Sequence, residues 1–520
     1  MRRFCLFVVL LVAAACTRPR PLVVTAPPLD VQPRLDVADA LVRTGCFDCL
    51  EEALRSYNEL RVLPNIPAAS GEAALIGSVR AELLLDLRQR ELGMVDRGYL
   101  QRARDALALR EDLKQTFAPL MDDVAMTAWR VQRLDAPPMD PELRRRFVEL
   151  QRNLPATLEA LRSTADADLV SAYIWIAFSC TLGDRASRER ASLLAPLEHW
   201  RETPIVAYRA ATCGSPQREP LTTLLEREPR FLEINFWLGA ASVGALQLDA
   251  AESLLLKAYE WHDDWPALTA MLANVYAGAE ELEPALTFYE RTLALTPGHG
   301  DAVVGRVRSL SLLGRHREAL EAIDEALGQR DRAFAGDMYY WRAWNEVELG
   351  RLDQAWLDIE QASRLWVNSE VAKLAGVIAY RRRDLPLAMK RFAEARRLNS
   401  DDCETQNYIG IIHAERSEWL PTAETFIPTV TCLERARDGV RKEIERIGTL
   451  QTSEDRRARW VARRTAQIDT ATRMIATAWF NIAAAYFNLG RREEARPFAE
   501  RLVDDERFAD RARDLLGRLR

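Results

Sequence analysis

Residues 267–297 read ALTAMLANVYAGAEELEPALTFYERTLALTP. Two apolar-periodic runs flank a short polar break. Small residues (Ala273, Ala285) sit beside large ones (Leu272, Tyr276, Tyr289), and Pro297 closes the stretch. Stepping back 34 residues places Leu238, Gly239, Ala251, Leu255 and Ala258 at matching positions; stepping forward 34 places Val307, Leu310, Gly314, Ala319, Ile323 and Ala326 there. After two extra residues a further copy supplies Ala343, Gly350, Ala355, Ile359 and Ala362, and the next supplies Gly376, Ala388, Phe392 and Ala395. A last copy carries Trp479, Ile482, Ala483, Tyr486, Gly490 and Ala495. A period of this length marks a helix-turn-helix unit that cannot bury its own apolar face and stacks on its neighbours. Small residues let two helices approach, large ones fill the remaining gap, and glycine permits the positive φ of the turn.

Over residues 232–506 these positions resemble the tetratricopeptide repeat family. The resemblance implies an all-α solenoid, wound as a right-handed superhelix, that binds proteins in a concave groove lined by the first helix of each unit. Counting along the repeat places Phe236, Asn274, Tyr340, Trp344, Lys373 and Tyr380 in that groove, edged by Arg308 and Arg381. The Lys–Asn–Lys clamp by which some members hold a C-terminal carboxylate is not reproduced, because Asn274 and Lys373 fall in non-adjacent units. Aromatic anchors with a charged rim suit an extended or helical protein segment. Packing of Tyr340 and Trp344 between neighbouring repeats is the equal alternative.

The rest of the chain divides around these repeats. MRRFCLFVVLLVAAAC has a basic head, an apolar run and small residues before Cys16, which is the pattern of a secretory signal. It resembles a bacterial lipobox, which implies a signal peptide over 1–15, a lipid on Cys16 and, with Thr17 next, an outer-membrane anchor with the body in the periplasm. Prolines at 19, 21, 27, 28 and 33 make 16–35 an extended tether, about 50–60 Å long if fully extended. Residues 36–231 read as divergent helical repeats and 232–430 as regular ones. A charged helical hairpin, centred on 431–475, is expected to protrude. Its first helix starts at Pro421 and its second runs to Leu489. Residues 476–520 form the final repeat and a capping helix. The hairpin tip carries Arg456, Arg457, Arg459, Arg463 and Arg464, with Glu443, Glu445, Glu454 and Asp455 nearby, so a salt-bridged face is favoured over a basic docking site.

Net charge is −6, which gives no global basic field to attract nucleic acid. No phosphate-binding glycine loop, HExxH or GxSxG occurs, and the five histidines stand singly. The chain is therefore read as a non-enzyme without cofactor or metal. WHDDW at 261–265 is read as a surface turn rather than a metal site. Beyond Cys16, six cysteines remain in the exported body: Cys46, Cys49, Cys180, Cys213, Cys403 and Cys432. An even number in an exported chain suggests disulfides. In the repeat frame Cys403 and Cys432 share one end of a hairpin, Cys180 and Cys213 close successive first helices, and Cys46 and Cys49 flank a turn. In the last of these, Asp48 stands where an N-cap would and Glu51 completes a capping box. For Cys46 and Cys49 a structural staple is preferred to free thiols and to redox or metal chemistry, since no His follows Cys49 and no second CxxC exists. The resulting reading is a membrane-anchored, non-catalytic interaction scaffold of the bacterial envelope, serving assembly or secretion through protein partners not identified by the sequence. A thiol protein and a peptidoglycan- or polysaccharide-associated sensor are the alternatives.

Overall fold

The structure, a computed structural model, describes residues 30–127, 145, 152, 154–182, 188–328 and 334–519. The signal segment, Cys16 and the tether as far as residue 29 lie outside the described residues. The described residues form 25 α-helices and no strand. The tether ends earlier than its expected limit at 35, because helix α1 (Gln32–Thr44) already starts at Gln32, with Pro33 in its first turn, where the missing N–H costs nothing.

Helix α1 pairs with α2 (Phe47–Arg61) across Gly45. The N-cap of α2 is Cys46, whose sulfur accepts the Cys49 N–H at 3.0 Å; Asp48 lies inside the first turn instead of capping it. Asp48 accepts from Trp261 Nε1 at 2.8 Å, and Glu51 accepts from the Tyr99 hydroxyl, so the expected capping box is spent on tertiary contacts. Helix α3 (Ala68–Leu92) is buried around most of its circumference, Glu82, Asp86 and Arg88 included, and becomes the central helix of this half. Around it stand α4 (Tyr99–Ala106), α5 (Glu111–Thr127), α6 (Leu154–Thr164), α7 (Leu169–Leu182), α8 (Arg190–Leu194), α9 (Pro204–Ala211) and α10 (Arg218–Arg227). The sulfurs of Cys46–Cys49, Cys180–Cys213 and Cys403–Cys432 lie at bonding distances of 1.97, 2.17 and 1.95 Å.

The regular units follow as helix pairs: α11 (Ile234–Gly244) with α12 (Leu248–Trp261), α13 (Pro266–Gly278) with α14 (Leu282–Leu295), and α15 (Gly300–Leu312) with α16 (His316–Gly328). Next come α17 (Ala335–Glu348) with α18 (Leu352–Leu365), α19 (Ser369–Arg381) with α20 (Leu385–Leu398), and α21 (Cys403–Glu415) with α22 (Trp419–Thr449). Helices α23 (Glu454–Asn488), α24 (Arg492–Glu500) and α25 (Ala509–Arg518) finish the chain. The repeat is written into the backbone as well as the side chains. Residues 246, 280, 314, 350, 383, 417 and 490, one at the turn inside each unit, all have positive φ. In each, the next N–H reaches back to the carbonyl five residues earlier, as from Glu281 to Tyr276 (2.8 Å) and from Arg315 to Leu310 (3.0 Å). Glycine fills only three of these places. Leu246, Glu280, Arg383 and Ser417 adopt the same conformation at φ +57° to +64°, at a cost of about 1 kcal/mol each.

The long hairpin α22–α23 does not protrude freely as expected. It folds back along the solenoid until its tip meets the α12 start and the α13–α14 turn. Trp460 is buried there against Ala279 and donates its Nε1–H to the Ala279 carbonyl at 2.8 Å. Arg456 sits between Asp249, Glu252 (2.7 Å) and Glu281 (2.9 Å). The cause is complementarity: an arginine-rich tip meets four carboxylates at the turns of two repeats. The hairpin is thus a strap that closes part of the superhelix.

The 261–265 turn is likewise a seam and not a surface loop. Asp264 pairs with Arg97 at 2.9 Å, and Trp265 is fully buried.

Candidate functional site

The strap and the repeats border an open groove of ≈ 1040 Å³. Asn274 on α13, Val304 and Arg308 on α15, and Asp337 in the first turn of α17 line its floor. Arg463 and Arg464 on α23 form its roof. Each wall follows from a local rule. The first helices of three successive units present one face, since residues three, four and seven apart share a side of a helix. The roof is held by Glu280, whose left-handed backbone turns its side chain and carbonyl toward α23. Its carboxylate takes Arg463 at 3.0 Å and Arg464 at 2.9 Å, and its carbonyl takes Arg463 Nη2 at 2.9 Å. Arg464 also reaches Glu443 on the other hairpin helix at 3.0 Å.

These roof arginines are therefore neutralised, whereas the floor is not. Among the described residues Arg308 has no carboxylate within ion-pair distance and Asp337 has no basic partner. Burial pushes the Asp337 carboxyl above its ordinary range. Asn274 accepts from the Tyr289 hydroxyl at 2.8 Å through Oδ1, which leaves its amide donors facing the cavity. An amide donor, a guanidinium and a carboxyl set along one groove can hydrogen-bond a polypeptide main chain and pair with one side chain of either sign.

The structure separates the expected groove residues into four groups. Asn274 and Arg308 meet in the strapped cavity. Phe236 does not reach the groove: it is 5% exposed and packs on Trp237 and Trp265 with ring centroids 5.1 and 4.5 Å away. The reason is Trp265, which enters from the next unit and covers it. Trp344 is half-buried beside His316 and Trp341, in the packing between units. Tyr340, Lys373, Tyr380 and Arg381 lie further along the solenoid. Burial pushes the Tyr340 phenol up, and Glu370 adds to this. Burial pulls the Lys373 ammonium down, but Asp402, Glu404 and Glu370, all within 3.2–3.4 Å, outweigh it and hold it above its ordinary value. Lys373 is thus already paired. Tyr380 donates to Glu415, and Arg381 to the Val347 carbonyl at 3.3 Å.

Sequence reading passed over Glu280, Asp301 and Asp337, which also line or frame this cavity. Only Glu280 carried a usable signal, because it stands where other units place glycine. Cys46 and Cys49 are fully buried, so neither sulfur is open to a substrate. Among the described residues no cluster of three or more His, Cys, Asp or Glu could hold a metal ion, and no helix is long and apolar enough to cross a membrane.

A family model described as tetratricopeptide repeat matches residues 476–504, the end of α23 and α24. No curated protein matches the sequence. Among solved structures the chain is similar to PilF of Pseudomonas aeruginosa (17% identity, 39% of this chain and 91% of that one, TM-score 0.34). It is also similar to yeast Tom70 (14% identity, 94% of each chain, TM-score 0.33). A third similar structure is the Cut9–Hcn1 hetero-tetramer of the APC/C (14% identity, 94% of this chain and 89% of that one, TM-score 0.37).

Proposed function

We propose that this chain, a tetratricopeptide-repeat protein, is a non-catalytic scaffold that holds a partner's polypeptide segment between its concave face and the α22–α23 strap. One observation carries the reading: an open groove whose roof charges are paired while Arg308, Asp337 and the Asn274 amide on its floor are not. Unpaired polar groups along a groove are recognition elements, since a ligand that satisfies them gains specificity that area alone does not give. In the same reading Cys16 carries a lipid, and the scaffold works at the bacterial envelope with its body in the periplasm.

A photo-crosslinking residue at Val304 tests the groove, with one at the exposed Leu357 as control. In cells, Val304 is expected to trap a discrete partner, and Arg308→Glu is expected to abolish the adduct. Equal capture from Leu357, or an adduct indifferent to Arg308→Glu, would place the binding surface elsewhere. For the anchor, Cys16→Ser is expected to move the chain out of the membrane fraction; retention there after signal cleavage would remove the lipid from the scheme.

A further inference from the structure

The strap is buried at its two ends and nowhere between. At its base Phe426, Leu433, Ile475 and Ile482 share one apolar cluster, and at its tip Ile447 and Trp460 close on Ala279. No residue is buried between Leu433 and Ile447 on α22, or between Trp460 and Ile475 on α23. The tip presents one face of α23, because Arg456, Arg459, Trp460, Arg463 and Arg464 fall at spacings that share a side of a helix. Each of the five has a partner on the solenoid. Arg456 pairs with Glu252 at 2.7 Å and Glu281 at 2.9 Å, Arg459 with Glu281, and Arg463 and Arg464 with Glu280. Trp460 is 9% exposed and donates to the Ala279 carbonyl.

The two sides of this contact are opposite in charge over their whole length. On the solenoid, the segments 246–252 and 278–283 contain five carboxylates and no basic residue. Arg315 takes one of the five, Glu283, at 3.5 Å, and Arg218 is turned to Ser242 and Gln247. On the strap, residues 441–464 contain eight basic and four acidic residues. The contact is also made of ion pairs with partly exposed carboxylates around a single indole, so its chemistry can be matched by a helix supplied from outside. We propose that this rim is a docking site for an arginine–tryptophan helix, that the strap tip is its resident occupant, and that a partner protein presenting the same side chains displaces the strap. Arg463 and Arg464, the roof of the groove, leave with the tip, so displacement uncovers the groove floor. Carboxylates on two turns and a slot between them select a helix face with arginines about one and two turns apart and an indole among them, which a merely basic segment lacks. The docking is independent of what the groove holds.

The probe is a synthetic peptide copying residues 453–468, added to the full chain and followed by hydrogen exchange. In a chain carrying Arg456→Glu and Trp460→Ala, which lifts its own strap, the peptide is expected to slow exchange at 246–252 and 278–283. Asp249→Asn with Glu281→Gln in that chain is expected to weaken the peptide about tenfold or more. In the unsubstituted chain an excess of peptide is expected to speed exchange at 447–464, and this arm needs no variant to fold. No slowing in the lifted chain, slowing indifferent to the rim substitutions, or an equal effect from the peptide with Trp460→Ala would overturn the docking site. Slowing in the lifted chain with no change at 447–464 in the unsubstituted one would overturn displacement.

Discussion

Arg88 and Arg456 are both buried arginines, and they do opposite work. Arg88 is wholly enclosed on α3. It pairs with Glu233 and with Glu91 (3.3 Å), and its guanidinium lies 3.7 Å from the centroid of the Tyr208 ring. Glu233 also accepts the Phe47 N–H at 2.9 Å, so this one cluster joins the N-terminal half to the first regular unit. Arg456 is 4% exposed as a side chain, yet its partners Asp249, Glu252 and Glu281 are 16–31% exposed. Water reaches the carboxylates as soon as the strap lifts. A sealed pair is part of the core, whereas a pair with wet partners is a contact that can open. The N-terminal half is thus built to stay closed, and the strap is built on a rim.

The largest expected effect tests the sealed side. Arg88→Met leaves the Glu233 carboxylate buried without its cation and is expected to cost about 3–5 kcal/mol, read as a fall in the unfolding midpoint of the whole chain. A loss confined to residues 30–100 by hydrogen exchange would show that the cluster does not join the two halves.

Arg456→Gln comes next. It is expected to remove about 1–3 kcal/mol of docking, seen as faster exchange and protease cleavage at 447–464 with the repeats intact. Raising salt is expected to act in the same direction on the parent chain, because the carboxylates are accessible to screening. If the global midpoint drops as far as in Arg88→Met, the strap belongs to the core and the contrast fails.

The smallest effect concerns pH. Glu82 on α3 is buried, which pushes its carboxyl up from 4.5 to about 7 against the pull of Arg102, whose Nε is 3.5 Å away. Between those two values the folded chain holds a proton that the unfolded chain has lost, so stability falls as pH rises through the window. Glu82→Gln is expected to flatten that slope: its midpoint exceeds the parent's above pH 7 and matches it below pH 4.5. An unchanged slope would assign the pH dependence to other groups.

Much of this architecture was legible in the residues. The hairpin helices, the first expected to start at Pro421 and the second to run to Leu489, span Trp419–Thr449 and Glu454–Asn488. Helix periodicity and turn chemistry are local, so a single chain displays them. Glycine was a weaker guide. At 246, 280, 383 and 417 the turn conformation is imposed on non-glycine residues by the packing of the two helices it joins. For the groove, Asn274 and Arg308 line one cavity, but spacing could not see Trp265 covering Phe236 or three acids claiming Lys373.

The amino-acid sequence by itself determined the helices, their 34-residue rhythm and the side of each helix that packs, because each of these follows from interactions within a few turns of chain. Only the tertiary structure decided that the arginine-rich hairpin is a strap. Its partners Asp249, Glu252 and Glu281 are roughly 175 to 207 residues away in the chain, and no local pattern encodes which carboxylates a helix tip will meet when a superhelix brings them within 3 Å.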